Sequence, residues 1–189
     1  MTIKLDERPS PAPPDLLRLA RRRFLRGQKL DIPALAAELG VSRATAYRWA
    51  GNVEELTDRV IASLAEDNFR VSFGEAEGEG VGLLVDAFRR GLHYIAAGPY
   101  REWLSREDPE TALRIVASKY GHAQRTSIRL WEARLAEEVA CGRLELPVEP
   151  HKMAYAIVRI TESFLYADLI AGEEPDVESC VEIFKLLLR

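Results

Sequence analysis

The sequence has few residues of the kinds that cross-link a protein or anchor it in a membrane. Its 189 residues include two cysteines, Cys141 and Cys180, which lie far apart and outside any metal-binding motif. This spacing favours buried thiols over a disulfide framework or a zinc site. No apolar run approaches the length of a membrane span, and no basic and apolar leader is present. We therefore expect a soluble, cytoplasmic protein with no membrane partner.

The motifs of common enzymes are missing as well. The chain contains no HExxH, no paired ExxH of a di-iron bundle, no P-loop and no cluster of Cys and His ligands. Gly78, Gly80 and Gly82 do not match the GxGxxG spacing, and they follow a predicted helix instead of a strand. We therefore expect no catalytic residue, no metal and no cofactor. An enzyme is the least supported of the functions considered.

The composition and the distribution of charge indicate a helical protein with a basic N-terminal part. Proline and glycine cluster at a few places instead of recurring every ten residues, which disfavours an all-β fold. Residues 1–52 contain ten Lys or Arg and five Asp or Glu, a balance of +5, whereas residues 53–189 contain sixteen and twenty-five, a balance of −9. Positive charge is therefore concentrated in the N-terminal part, as attraction to nucleic-acid phosphates requires.

The run DIPALAAELGVSRATAYRWAG has the pattern of two short helices joined by a tight turn. Asp31 is placed to cap the first helix, and Gly40 suits the left-handed residue that ends it. Ser42 is placed to cap a second helix that runs through Trp49. The pattern is typical of a helix-turn-helix, whose second helix enters the DNA major groove. An ordinary helical hairpin without a nucleic-acid role is the alternative.

The segments before this run predict an arm and a basic helix. The prolines of residues 1–13 disfavour regular structure and predict a disordered arm. The next helix ends near Gly27, and its inward face is formed by Leu16, Leu19, Ala20 and Phe24. Its other faces are covered by arginines. Such a charged face is usually solvated, but beside a helix-turn-helix we expect it to lie along phosphates, with Arg23 as the candidate contact.

Helical patterns continue to the C-terminus. Asn52 and Glu55 form a capping box for a long helix from Val53. The pattern then predicts a mobile connection at 75–82, a helix ending at Gly98, a short segment at 100–107, one helix over 109–142 with a break near Gly121, a helix over 150–172 and a last helix after Pro175. The last two helices are apolar on more than one face, which predicts a homodimer through them.

The second helix of the helix-turn-helix carries the candidate DNA contacts. Arg43, Thr45 and Arg48 are candidates for base edges, because Arg favours guanine and Thr can contact a thymine methyl. Ser42 and the first-turn N–H groups are placed to bind a phosphate, and Tyr47 is placed to bind one through its hydroxyl. Packing within the helix is the alternative for Thr45 and Tyr47, and a solvated charge is the alternative for Arg43.

Aromatic and polar residues of the C-terminal part are candidates for a small-molecule site, which is commonly an apolar cavity with a few polar anchors. These candidates are Phe88, Trp103, Tyr120, Trp131, Arg159 and Glu162. Each aromatic residue has plain core packing as its alternative. Arg159 and Glu162 interrupt an apolar helix at i, i+3 spacing, so they either pair with each other or hold a polar group of a ligand, and we favour the pair.

The sequence resembles the TetR family of transcriptional regulators. Ala20 and Phe24 match the first helix of that family, LAAELGVSRAT its second and third helices, and GNVEEL the opening of its fourth. The run AYAIVRITESFLYADLIAGEEPD, which begins at Ala154, is similar to the QsdR-type branch, named for control of quorum-sensing signal degradation. The resemblance implies an all-α fold, in which an N-terminal three-helix helix-turn-helix DNA-binding domain over 14–52 is joined to a helical ligand-binding and dimerisation domain over 53–189.

The resemblance also implies a function. A protein of this kind is a homodimeric repressor that binds a near-palindromic double-stranded DNA operator and is released by a small apolar or lactone-like effector. The recognition helix departs from the family where Tyr-His-Tyr-Phe is usual: it ends in Tyr47, Arg48, Trp49 and Ala50. Ala46 replaces a bulky aliphatic residue, and Val53 replaces a lysine that contacts phosphate in the family. DNA binding is still expected, and the departures motivate one alternative, a helical small-molecule-binding or partner protein with a degenerate DNA-binding module.

Overall fold

The computed structural model describes residues 13–116 and 121–189. Over these residues the chain forms eleven helices and no strand, which confirms the all-α class. The helices are α1 Pro14–Leu25, α2 Ile32–Leu39, α3 Arg43–Ala50, α4 Val53–Glu75, α5 Gly80–Ala97, α6 Pro99–Arg106, α7 Pro109–Val116, α8 His122–Ala140, α9 Pro150–Leu165, α10 Ala167–Ile170 and α11 Val177–Leu187. The chain divides into two compact units, 1–60 and 61–189. Of the predicted arm, residues 1–12 lie outside the described residues.

The caps predicted for the helix-turn-helix are present. The Asp31 carboxylate accepts a hydrogen bond from the Ala34 N–H at 2.7 Å and begins α2. Gly40 ends α2 with a φ of 68°, a left-handed conformation that glycine adopts without strain. The Ser42 hydroxyl accepts from the Thr45 N–H at 3.1 Å and begins α3. Both ends of α2 and the start of α3 are therefore fixed by the residues that the sequence assigned to them.

The core of the N-terminal unit is formed by apolar side chains from α1 to α4. The inward face predicted for α1 is buried, as are Ile32, Leu35 and Ala36 of α2. Leu56 and Val60 of α4 are also fully buried. The first two turns of α4 therefore belong to the N-terminal unit, although the predicted boundary after residue 52 places the whole helix in the second domain.

In the C-terminal unit, α8 packs on α9, and α11 packs on both α5 and α9. Its centre is an aromatic cluster to which α4, α5, α8 and α11 contribute. The members of the cluster are Phe69, Phe73, Phe88, Trp131 and Phe184. In the part of the chain that the structure describes, none of the helices has both the length and the apolar character needed to cross a bilayer.

Two of the predicted helices are interrupted, one at its predicted break and the other before its predicted end. The helix predicted over 109–142 is two helices, α7 and α8, and the break at Gly121 is confirmed by its extended backbone. The helix predicted over 150–172 ends at Leu165, because Tyr166 adopts a non-helical conformation before the short α10 begins. The Tyr166 ring is buried and its hydroxyl is bonded to Tyr100, a tertiary contact that prevails over the local helical pattern.

Candidate functional site

The recognition helix α3 has one buried face and one exposed face. Ala46 and Ala50 are fully buried against the rest of the unit. Arg43, Tyr47 and Arg48 are exposed. Arg43 and Tyr47 share a face, because residues four apart lie one above the other on a helix, and Arg48 follows about 100° further round. Two guanidinium groups and a phenol therefore project from the exposed part of α3, and such groups can bind the base edges and phosphates of a major groove.

The hydroxyls of Ser42 and Thr45 lie together at the start of α3. Their oxygen atoms are 2.8 Å apart, and the Ser42 oxygen also accepts from the Thr45 N–H. Ser42 is exposed, whereas Thr45 is half-buried. The pair therefore caps the helix and presents a polar edge at its N-terminus, where the helix dipole favours a bound anion. Contact of either residue with DNA stays a prediction.

The departures from the family pattern fall mainly on the buried side of α3. Ala46 and Ala50 face the core, so they change the packing beneath the helix and leave its exposed face intact. Trp49 is half-buried, and its carbonyl accepts a hydrogen bond from the Arg59 guanidinium at 2.8 Å. Val53 is exposed at the start of α4. Of the altered positions, Val53 is the one that removes a charge from the surface.

A basic groove of about 450 Å³ lies in the same unit, beside α1. We call it the arginine groove; it is lined by Leu19, Arg22, Arg23, Arg26, Gln28 and Glu38. Arg23 donates a hydrogen bond to Glu38 at 2.7 Å, and Arg22 lies 3.7 Å from the other oxygen of the same carboxylate. Arg23, the phosphate contact expected from the sequence, is therefore already paired within the protein.

The pairing with Glu38 was missed in the sequence, although a signal was present. Glu38 is the one acidic residue between Asp31 and Glu54, in a segment flanked by arginines. A single carboxylate in such surroundings has several possible cationic partners, so a contact with the basic helix before it could have been expected.

Two of the aromatic residues proposed to line a ligand cavity are brought together in the core. The ring centroids of Phe88 and Trp131 are 5.7 Å apart, and Phe88 stacks on Phe184 at 4.1 Å. Trp131 also contacts the rings of Phe69 and Phe73, and all these rings lie within the aromatic cluster. Phe88 and Trp131 therefore take part in core packing, which was the alternative to a ligand contact for each of these aromatic residues.

Arg159 and Glu162 form the favoured ion pair, with 2.7 Å between the guanidinium nitrogen and the carboxylate oxygen. Gln124 of α8 donates its amide N–H groups to both oxygens of Glu162, at 3.0 and 3.2 Å. Glu162 is 9 % exposed, and this burial raises the pKa of its carboxyl, while the Gln124 hydrogen bond and the Arg159 charge oppose the rise. Gln124 was not predicted as a site residue, although its i, i+7 spacing from Trp131 places both on the inward face of α8.

A second polar pair lies between α6 and the end of α9. The hydroxyl oxygens of Tyr100 and Tyr166 are 2.6 Å apart, and burial raises the pKa of both phenols. The negative charge of the Glu162 carboxylate raises both pKa values further. Along one shared hydrogen bond only one hydroxyl is the donor, so the second hydrogen is available to another acceptor. No pattern in the sequence indicates this pair.

The remaining candidates lie at the edge of this region or outside the described residues. Trp103 is half-buried, with its ring centroid 6.0 Å from that of Tyr100. Arg101 binds Asp168 through two hydrogen bonds, of 2.6 and 3.2 Å, and so ties α6 to α10. Tyr120 lies outside the described residues. Among residues 13–116 and 121–189 no group of three His, Cys, Asp or Glu side chains could hold a metal ion.

The chain is similar to known proteins over most of its length. Residues 79–189 match the family model described as the Tetracyclin repressor-like, C-terminal domain. Among solved structures, the chain is similar to the transcriptional repressor QsdR of R. erythropolis, from the TetR family, with 31 % identity over 92 % of each chain and a TM-score of 0.85. It is less similar to PfmR, a TetR family transcriptional regulator from Thermus thermophilus, with 20 % identity over 92 % of this chain and 97 % of that one and a TM-score of 0.43. No match was found among curated protein sequences.

Proposed function

The chain belongs to the TetR family of transcriptional regulators, and from this premise we propose that it is a homodimeric repressor that a small-molecule effector releases from its operator. As a member, the chain is a DNA-binding regulator with a helix-turn-helix, and it is not an enzyme. The observation that carries the proposal is the 31 % identity, over 92 % of both chains, to a transcriptional repressor.

The exposed face of α3 supports operator recognition by direct base contacts. Arg43 and Arg48 are proposed to donate to the acceptor atoms of guanine, and Thr45 to contact a thymine methyl. Ser42 and Tyr47 are proposed to bind phosphates on either side of the groove, which fix the register of the helix. In a dimer, two such helices would read half-sites about 34–36 Å apart on a near-palindrome.

The last two long helices support self-association. Tyr155 of α9 is 52 % exposed, and Leu186 of α11 is 58 % exposed. Ile183, one turn before Leu186, is also exposed, and α9 and α11 pack on each other. An apolar surface of this kind is characteristic of an interface, and a second copy of the chain would bury it in an isologous four-helix arrangement.

The buried polar groups of the C-terminal unit support an uncharged effector with an oxygen acceptor. The buried carboxylates there are already paired, Glu162 with Arg159 and Glu138 with Arg134 and Arg143, so neither calls for a cationic ligand. The spare hydrogen of the Tyr100–Tyr166 pair is placed to donate to a carbonyl or ether oxygen. An effector that favours one conformation needs about 1–3 kcal/mol of coupling to weaken operator binding roughly 5- to 150-fold. A lactone-like compound has this chemistry.

The test is binding of the full chain to its own upstream DNA and to a random duplex of equal length, across a range of salt concentrations. The proposal expects preferential binding to the upstream region and release on addition of an effector such as an acyl lactone. Equal affinity for both duplexes would contradict operator recognition. The degenerate-module alternative predicts a ligand-induced change in tryptophan fluorescence without any DNA binding, but the buried positions of Ala46 and Ala50 argue against it.

A further inference from the structure

The arginine groove presents three guanidinium groups around one carboxylate. Arg22, Arg23 and Arg26 line it together with Glu38, so the groove has an excess of positive charge. Arg23 is hydrogen-bonded to Glu38, whereas Arg22, at 3.7 Å from the carboxylate, is too distant for a hydrogen bond. The three guanidinium groups therefore have more N–H donors than one carboxylate can accept.

The ion pairs of Glu38 with Arg22 and Arg23 are also weak. The side chain of Glu38 is 46 % exposed, and those of its partners Arg22 and Arg23 are 60 % and 23 % exposed, so water and salt reach the carboxylate and screen its attraction to both arginines. An exposed ion pair of this kind contributes little free energy. A DNA phosphate that displaces the carboxylate gains charge-assisted bonds to the same guanidinium groups and releases condensed counterions. A phosphate can therefore replace the Glu38 carboxylate on these arginines at little cost in free energy.

The location of the groove points to the DNA backbone as the source of that phosphate. Glu38 lies in the last turn of α2, four residues before the Ser42 that caps the recognition helix. The groove belongs to the unit that carries the excess of basic residues. The sugar-phosphate backbone of DNA bound at the start of α3 would therefore pass near the groove. The planar guanidinium group of arginine can donate two parallel hydrogen bonds to the oxygens of a phosphate.

We propose that the arginine groove binds a phosphate of the operator backbone and that Glu38 is its internal competitor, which occupies Arg22 and Arg23 in the free protein. Glu38 then lowers the affinity for DNA of any sequence by one common factor, because it acts on a phosphate contact and not on a base contact. This inference rests on the DNA binding of the proposed function. It assigns to Glu38 a role in limiting non-specific binding.

The experiment measures dissociation constants of the full chain for the upstream region and for a random duplex, at several salt concentrations. Glu38→Gln keeps the size of the side chain and removes its charge, and we expect it to bind both duplexes about two- to fivefold more tightly. Arg23→Gln should weaken binding to both duplexes and lower the salt slope by about 0.9. In the Arg23→Gln background, Glu38→Gln should gain less than it does alone.

Asp15→Asn is the matched control. Asp15 pairs with Arg18 at 3.2 Å on the same helix α1, outside the arginine groove, so this variant removes one carboxylate from the same unit and frees one arginine. This control measures how much the loss of any one negative charge increases DNA affinity. The increase caused by Glu38→Gln must be larger than the increase caused by Asp15→Asn. Glu38→Ala serves as a second variant, and circular dichroism establishes that each variant is folded.

The outcomes separate this inference from the proposed function. The inference would be overturned if Glu38→Gln bound DNA no more tightly than the unmodified chain or than Asp15→Asn. The proposed function would still hold in that case, provided that the unmodified chain prefers its upstream region. A salt slope unaltered by Arg23→Gln would overturn it as well. If inorganic phosphate, at constant ionic strength, stabilised the chain through Arg23 while both DNA affinities stayed unchanged, the groove would be a free-anion site instead. An unmodified chain that binds neither duplex would overturn both proposals.

Discussion

Gln124 and Glu162, which lie 38 residues apart, are joined by two hydrogen bonds that link α8 to α9 inside the C-terminal unit. The amide of Gln124 contacts both oxygens of the carboxylate, and Arg159 contacts one of them from the same helix as Glu162. Because the pKa of Glu162 is raised by burial, this small network connects the stability of the C-terminal unit to pH.

A pH dependence of stability is therefore expected, with a definite sign. A carboxyl whose pKa is higher in the folded state than in the unfolded state binds its proton more tightly when folded. The free energy of unfolding should then fall as the pH rises from about 4.5, the ordinary value, through the raised pKa of the folded state. Urea unfolding at a series of pH values should show this contribution in the unmodified chain and not in Glu162→Gln. A difference between the two chains that grows in the opposite direction would contradict the assigned cause.

The shared hydrogen bond of Tyr100 and Tyr166 should contribute measurably to stability. Tyr166→Phe leaves the Tyr100 hydroxyl buried without that partner, so we expect a loss of about 1–2 kcal/mol in the free energy of unfolding. Tyr47→Phe, measured without DNA, is the control, because Tyr47 is 47 % exposed and lies outside the proposed dimer surface, and its effect should be within about 0.5 kcal/mol. Chemical denaturation measures both changes. Equal stabilities of the two variants would show that the buried bond contributes nothing.

Leu186→Glu should weaken self-association without unfolding the chain. Leu186 is 58 % exposed in the single chain, so a charge at this position is solvated in the monomer but desolvated in the proposed interface. Size-exclusion chromatography with light scattering should show a shift from dimer towards monomer at unchanged helix content. Val139→Glu, a matched change at an exposed apolar residue of α8, should leave the oligomeric state as it is. A dimer that resists Leu186→Glu would place the interface elsewhere.

Arg43→Ala should reduce sequence discrimination more than it reduces binding to random DNA. A bidentate contact to guanine contributes about 1–3 kcal/mol of discrimination, and this contribution is lost with the guanidinium group. The measurement is the ratio of affinities for the operator and for a random duplex at one salt concentration. Arg70→Ala removes an exposed arginine of the C-terminal unit and should leave that ratio unchanged. A parallel loss of affinity for both duplexes would identify Arg43 as a phosphate contact.

The helix-turn-helix was predictable because its signals are local. Asp31, Gly40 and Ser42 act on backbone groups within a few residues, so the pattern of side chains along the chain contains the whole argument. The buried face of α1 was predictable for the same reason, since helical spacing alone selects Leu16 and Phe24.

The contacts between distant parts of the chain were not predictable in this way. The Tyr100 and Tyr166 hydroxyls meet across 66 residues, and no periodicity relates the two positions. The same contact explains why the helix predicted to reach Gly172 ends early, because a buried and bonded Tyr166 replaces the next helical turn. The pair of Arg23 and Glu38 shows the intermediate case, in which complementary charges are visible but their geometry is not.

The opposite faces of α3 make this protein a practical scaffold for engineering. Ala46 and Ala50 fit the helix into its unit, while Arg43, Tyr47 and Arg48 lie outside that packing. A library that varies only the three exposed positions can therefore be screened for new DNA targets without the losses of yield that accompany changes to a core. The small residues that set this chain apart from its relatives are thus compatible with retargeting.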